Sequence, residues 1–156
     1  MDIGEPLLSR WIARTQVILN SYRDLLGREL IDRSANPEDD ARRLFALSAA
    51  VLAHGTEVDP ILDYGNRAAL VLWEMTPKAL VAMPSRLTAE PGVRAAREKA
   101  LEDTKRQGFS TGYDGIRVSA TGRRFTIHDA TIWNLVDGDG RPAGQAATFE
   151  RWSPVD

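Results

Sequence analysis

The chain of 156 residues has no cysteine, two histidines and three lysines among its 20 basic residues, the other 17 being arginine. Without cysteine there is no disulfide, no thiolate metal ligand, no cysteine nucleophile and no cysteinyl cofactor adduct. An excess of positive charge is also missing. The 20 basic residues face 22 acidic ones, a net charge of −2. Attraction to a phosphate backbone runs on a basic excess that displaces counterions, so no nucleic-acid partner is expected. No apolar run approaches the roughly 20 residues that span a bilayer, so no membrane partner is expected either. The opening MDIGEPLLSRWIAR lacks a basic segment followed by a long apolar core, which predicts no signal peptide and a cytoplasmic location. The glycines follow neither G-x-G-x-x-G nor a Walker pattern, and no G-x-S-x-G occurs. What remains, 43% hydrophobic and 27% charged, is the composition of a folded globular chain.

The first third has the period of a helix. Leu7, Leu8, Trp11, Ile12, Thr15, Ile18, Leu19, Tyr22, Leu25, Leu26 and Leu30 recur at steps of three and four, so they form one apolar stripe. A stripe of this kind has to be covered, by its own domain or by a second copy, and it predicts a homodimer through this helix. Asn36-Pro37-Glu38-Asp39-Asp40 is a second helix start, with a capping side chain, a proline suited to the first helical position and acids at the positive end. Ser48 to Gly55 and Ile61 to Asn66 then read as short strands. Arg67 to Glu74 and Thr76 to Leu80 read as short helices. Ser85 to Glu90 reads as irregular, and Val93 to Gln107 as a charged helix with a thin apolar edge. Tyr113 to Ser119, Arg124 to Val136 and Ala143 to Phe149 read as strands, the last two joined by the hairpin signal Asp137-Gly138-Asp139-Gly140. The expected architecture is α+β: a five-stranded antiparallel sheet with helices on one face. An N-terminal helical extension over 1–47 precedes a domain over 48–156.

Two strands, a helical connection and a three-stranded meander is an order that resembles PAS domains. The wording is closer still to one subgroup. Ala53 to Asn66, Trp73-Glu74-Met75, Pro84 to Pro91, and Arg123 through Ile132-Trp133-Asn134 to Gly144-Gln145-Ala146 are similar to the MEKHLA family. The resemblance runs from about Leu19 to Trp152. It implies a PAS-like sensory module, as a small bacterial protein or as the last domain of plant class III homeodomain-leucine zipper regulators. No homeodomain or zipper heptads occur in this chain, so the transcriptional role is not expected to carry over. Pro84-Ser85-Arg86-Leu87 falls where flavin photosensors of the light-oxygen-voltage type have Asn-Cys-Arg-Phe. Ser85 in place of that Cys excludes their adduct photochemistry. Haem is not expected, because the helical middle holds no histidine.

The resemblance places a cavity between the sheet and the helical connection. Seven residues are candidates for lining it: His54, Asn66, Trp73, Arg86, Trp133, Asn134 and Gln145. His54 ends a strand and titrates near neutral pH, so it is a hydrogen-bonding group or a proton-transfer base, or a structural histidine bonded to the next turn. Arg86 is a clamp for a carboxylate or phosphate, or one half of a surface ion pair. Trp133 and Asn134 are adjacent, so only one of them faces inward. Gln145 shares strand parity with Ala147 and Phe149, and a buried amide without partners costs about 1–3 kcal/mol. No metal site is expected. Three readings follow. The first is a small-molecule-binding sensory module of unknown cofactor. The second is a small enzyme with His54, a nearby Asp59 or Asp63, and Arg86. The third is an interaction protein with a filled core.

Overall fold

A computed structural model describes residues 3–155. Helix α1 spans Leu7–Leu26 and α2 spans Pro37–Ala46. Strands β1 (Ala50–His54) and β2 (Leu62–Gly65) follow, then α3 (Arg67–Trp73), α4 (Pro77–Leu80), two 3₁₀ turns (Ser85–Thr88 and Pro91–Val93) and α5 (Arg94–Gln107). Strands β3 (Phe109–Val118), β4 (Arg124–Val136), β5 (Pro142–Phe149) and β6 (Arg151–Pro154) complete the chain. The sheet is antiparallel in the order β2-β1-β5-β4-β3, and it has one strand more than expected. β6 pairs with the first half of β4 and continues the lane of β5 beyond Glu150. Its four residues carry no alternation; Trp152 holds it by packing edge-on to Phe125, centroids 5.9 Å apart.

Helices cover both faces of the sheet, not one. Val51, Ala53, Trp133, Leu135 and Ala146 turn toward α1 and form one core with Trp11, Ile18, Leu19 and Tyr22. Tyr22 meets Trp133 edge-on at 4.9 Å, and the Trp133 indole donates to Ile18 O at 3.3 Å. Most of the stripe thus packs within the chain, while Leu8 and Ile12 stay half-buried. It is also shorter than its spacing suggested: Gly27 takes a left-handed conformation (φ 74°), donates to Arg23 O and ends the helix before Leu30. Segment 1–47 shares its core with 48–156. Asn36 caps α2 as its sequence predicts, accepting from Glu38 N and Asp39 N.

On the other face, residues 125 and 127 of β4 and residues 130 and 132 point the same way, although their parity differs. Asp129, at φ 55°, inserts one residue and resets the alternation. Its N–H is held by Asp114 Oδ1 at 2.8 Å. Trp73 fills this side with Phe125 and Phe149, ring centroids 5.1 and 6.0 Å away.

Asn66 pins the two layers together. It is fully buried and caps α3 by accepting from Ala69 N (3.1 Å); the same oxygen accepts from Val51 N (2.9 Å). Its amide donates to Ala49 O (2.8 Å) and Leu44 O (3.2 Å), so α2, β1 and α3 all end on one side chain. Asn66→Ala strands several of these groups away from water. It is expected to cost about 3 kcal/mol or more, read as a lower urea midpoint at an unchanged m value.

Candidate functional site

The sheet face opposite α1 closes over a cavity of about 60 Å³. Its floor is β-sheet: Leu52 and His54 from β1, Ile127, Ala130 and Ile132 from β4, and Gln145, Ala147 and Phe149 from β5. Its roof is Trp73 from α3, Ser85 and Thr88 from the first 3₁₀ turn, and Arg97 and Leu101 from α5. Tyr113 and Arg117 of β3 close one side. No aspartate or glutamate lines it.

His54 is the last residue of β1, facing Leu62 on one side and Gln145 on the other. Its Nδ1 lies 3.0 Å from Gly55 O, which fixes the tautomer: Nδ1–H donates, and Nε2 is left as an acceptor. Nε2 is buried and has no partner among the described residues. The same holds for the Trp73 indole N–H, whose residue is 2% exposed. A buried polar atom left unpaired costs free energy, and each such atom asks what would satisfy it. The backbone at His54 is tight against β5. A Cβ on Gly144 (φ 113°) would come 1.9 Å from His54 O, so only glycine serves there.

Two cations face this space. Arg97 is 6% exposed and Arg117 is 7% exposed. Arg97 donates to Ser85 Oγ and to Glu98, an acid that lies largely in solvent outside the cavity. Arg117 donates to Ile116 O (2.9 Å) and to Tyr113 Oη (3.3 Å), and it lies over the Tyr113 ring. Burial pulls the Arg97 guanidinium down to about 10, and the neighbouring Arg117 charge acts in the same direction; Arg97 still keeps its proton at neutral pH.

Of the seven expected residues, His54, Trp73 and Gln145 line the cavity and four do not. Gln145 spends its amide on Leu101 O (2.9 Å) and Asn134 Oδ1 (3.1 Å). Asn134 donates to Lys105 O at 3.1 Å, so this pair fastens α5 to the sheet. Trp133 belongs to the α1 side and Asn66 to the fold. Arg86 lies at the surface, 3.3 Å from Asp59. The proposed proton-transfer dyad does not form. Asp63 is held by Arg14 (2.8 Å), Asp59 by Arg86, and neither is bonded to His54. His128, on β4, bonds Ser153 Oγ at 2.7 Å.

Arg97, Arg117, Tyr113, Ser85 and Thr88 were not among the seven candidates. Arg97 sits four residues before Leu101 and seven before Thr104, on the inward face of α5, so its helical position was legible. Tyr113 and Arg117 share one parity of β3. The expectation that apolar residues turn inward hid them, because here the polar parity faces the cavity.

A family model described as the MEKHLA domain matches residues 12–154. Among curated proteins, the homeobox-leucine zipper protein ATHB-9 of Arabidopsis thaliana is 29% identical over 150 residues, covering 95% of this chain and 18% of its own length. The homeobox-leucine zipper protein HOX29 of Oryza sativa subsp. indica is 29% identical over 136 residues, covering 85% and 15%. The chain thus spans less than a fifth of these relatives. The PAS domain of a Colwellia psychrerythraea protein has a similar structure, with a TM-score of 0.62 at 13% identity over 76% of this chain and 95% of that one. The light-state dimer of the fungal blue-light photoreceptor Vivid gives 0.57 at 14% identity, over 84% and 91%. The fold is PAS-like. Among the described residues no helix is long and apolar enough to cross a membrane, and no group of three or more His, Asp or Glu could hold a metal ion. A flavin does not fit the residues present. A cavity of about 60 Å³, with Trp73, Phe125 and Phe149 filling the space beside it, suits a molecule of one ring or less and is too small for a three-ring system.

Burial holds the His54 imidazole below its usual value of about 6.5. The Gly55 carbonyl pulls against this, Arg97 and Arg14 add to it, and Glu57 opposes them. The unfolded chain takes up a proton below about pH 6.5 that the folded chain refuses. His54 therefore contributes stability above that pH, and the contribution is lost as pH falls toward the folded value. His54→Gln is expected to flatten this limb. The difference in urea midpoint between wild type and variant should narrow from pH 7.5 to about 5.5, with at most about 1.4 kcal/mol per pH unit in the wild-type slope.

Proposed function

We propose that this chain, which belongs to the MEKHLA domain family, is a PAS-like sensory or regulatory module whose cavity binds a small molecule. The observation that carries this reading is the pair of unpartnered ring atoms, the acceptor His54 Nε2 and the donor Trp73 Nε1, on residues that line one mostly apolar pocket. An apolar pocket with a few convergent polar groups is what a small-ligand site requires. A route from the cavity to the surface supports the regulatory half. Arg14 of α1 donates to His54 O (3.1 Å) and Ala143 O (2.7 Å), and it pairs with Asp63 (2.8 Å). A ligand that draws on His54 or shifts β5 acts on the anchor of α1.

The test is thermal unfolding of the full chain against a library of small polar aromatic and aliphatic compounds, charged and neutral. Binders at about a hundred times their Kd should stabilise the fold by about 2.7 kcal/mol, raising Tm by roughly 5–10 °C. Ala147→Leu, which fills the cavity from β5, should abolish the shift. A library without a binder, together with an Ala147→Leu protein more stable than wild type, would instead mark an interaction protein with an imperfectly filled core.

A further inference from the structure

We infer that the ligand is a small organic carboxylate bearing its own hydroxyl or N–H, with the carboxylate held between Arg97 and Arg117 and the donor given to His54 Nε2. The inference rests on the small-molecule reading of the cavity and names the chemistry that reading leaves open. It starts from charge. Two guanidinium groups, each more than nine-tenths buried, face a cavity whose lining contains no acid. Buried cations need a counter-charge: Glu98 meets Arg97 from the solvent side at 3.1 Å, no acid pairs with Arg117 among the described residues, and the hydroxyls of Ser85 and Tyr113, which accept from the two arginines, are neutral. Each guanidinium has five N–H donors in a planar fork, more than these partners use, and the fork matches a carboxylate bidentately. Ser85 and Tyr113 therefore orient the forks and leave N–H donors of both arginines for an anion.

The rest of the cavity fixes the rest of the molecule. Trp73, Ile127, Ile132 and Phe149 present apolar surface, which suits a carbon skeleton and disfavours inorganic phosphate. His54 Nε2 is an acceptor, because Nδ1–H is spent on Gly55 O; a hydroxyl or N–H on the ligand satisfies it. The Trp73 N–H offers one further bond to a ligand oxygen. Arg86, the arginine first expected to clamp an anion, has an acid of its own in Asp59.

The experiment is isothermal titration of the full chain with lactate and 3-hydroxybenzoate, with propionate and benzoate lacking the hydroxyl, with neutral benzyl alcohol, and with inorganic phosphate. A hydroxy acid should bind best, about 2–10-fold tighter than its counterpart without the hydroxyl, with benzyl alcohol at least about 10-fold weaker than benzoate. Arg97→Gln and Arg117→Gln should each weaken the hydroxy acid about 10–100-fold, and Arg97→Lys should fall between wild type and Arg97→Gln. Arg86→Gln should leave binding unchanged. Circular dichroism and urea midpoints identify any variant that fails to fold, in which case the other arginine and Arg97→Lys carry the test. Benzyl alcohol binding as tightly as benzoate overturns the inference while the small-molecule reading stands. Phosphate binding tighter than every carboxylate also overturns it. Binding by none of these compounds also overturns the inference, and the small-molecule reading then stands or falls on the library screen and Ala147→Leu.

Discussion

Both faces of the sheet are apolar, and each must be covered; the architecture follows from how differently the two covers are made. On one face α1 lays down Trp11, Ile18, Leu19 and Tyr22, all buried, against Trp133, Leu135 and Ala146. Fully burying one such side chain contributes about 1.5–3 kcal/mol, so this face holds the domain together. The other face is roofed by α5, whose fully buried residues are Arg97 and Thr104 in place of leucines. A roof of that composition cannot close flush on an apolar floor. The cavity and its positive lining are consequences of the same residues, and the α1 side offsets the cost of keeping them.

The polar residues of the cavity region divide into those that are spent and those that are free. Asn134 and Gln145 bond each other and the carbonyls of Lys105 and Leu101, which sets the height of α5 above the sheet. Asn66 is spent on α2, β1 and α3. His54 Nε2 and Trp73 Nε1 are left over among the described residues. Arg14 reaches the end of β1 and the start of β5 from the far side, so the strands bearing His54 and Gln145 are in contact with both layers.

Much of the fold was legible because its signals are local. The stripe of α1, the Asn36 cap and the Asp137–Gly140 hairpin each depend on a few neighbouring residues. The α1 stripe states that a helix must be covered and not by what; here most of it is covered by the sheet of the same chain. β6 lacked a pattern of its own and depends on β4 for pairing. The candidate site was harder to read, since it depends on how distant elements meet. Trp133 and Asn134 were seen to exclude each other, but which one turned inward was settled by the residue inserted at Asp129. Arg86 and Arg97 are the same residue type on either side of Pro91. Only packing shows that the first lies at the surface on Asp59 while the second enters the cavity.

The account turns on the Trp73 indole N–H being an unfilled donor in a ligand cavity, and the four tryptophans provide an internal control. The Trp11 indole donates to Asp63 O at 2.9 Å and the Trp133 indole to Ile18 O at 3.3 Å, while Trp152 is exposed at the edge of the sheet. The most direct measurement is the ¹H–¹⁵N spectrum of the indole groups, assigned by single Trp→Phe variants and titrated with a hydroxy acid. The account predicts that the Trp73 signal alone moves strongly downfield as it gains a hydrogen bond. A Trp73 signal that stays still at saturation, or moves no more than those of Trp11 and Trp133, would contradict it.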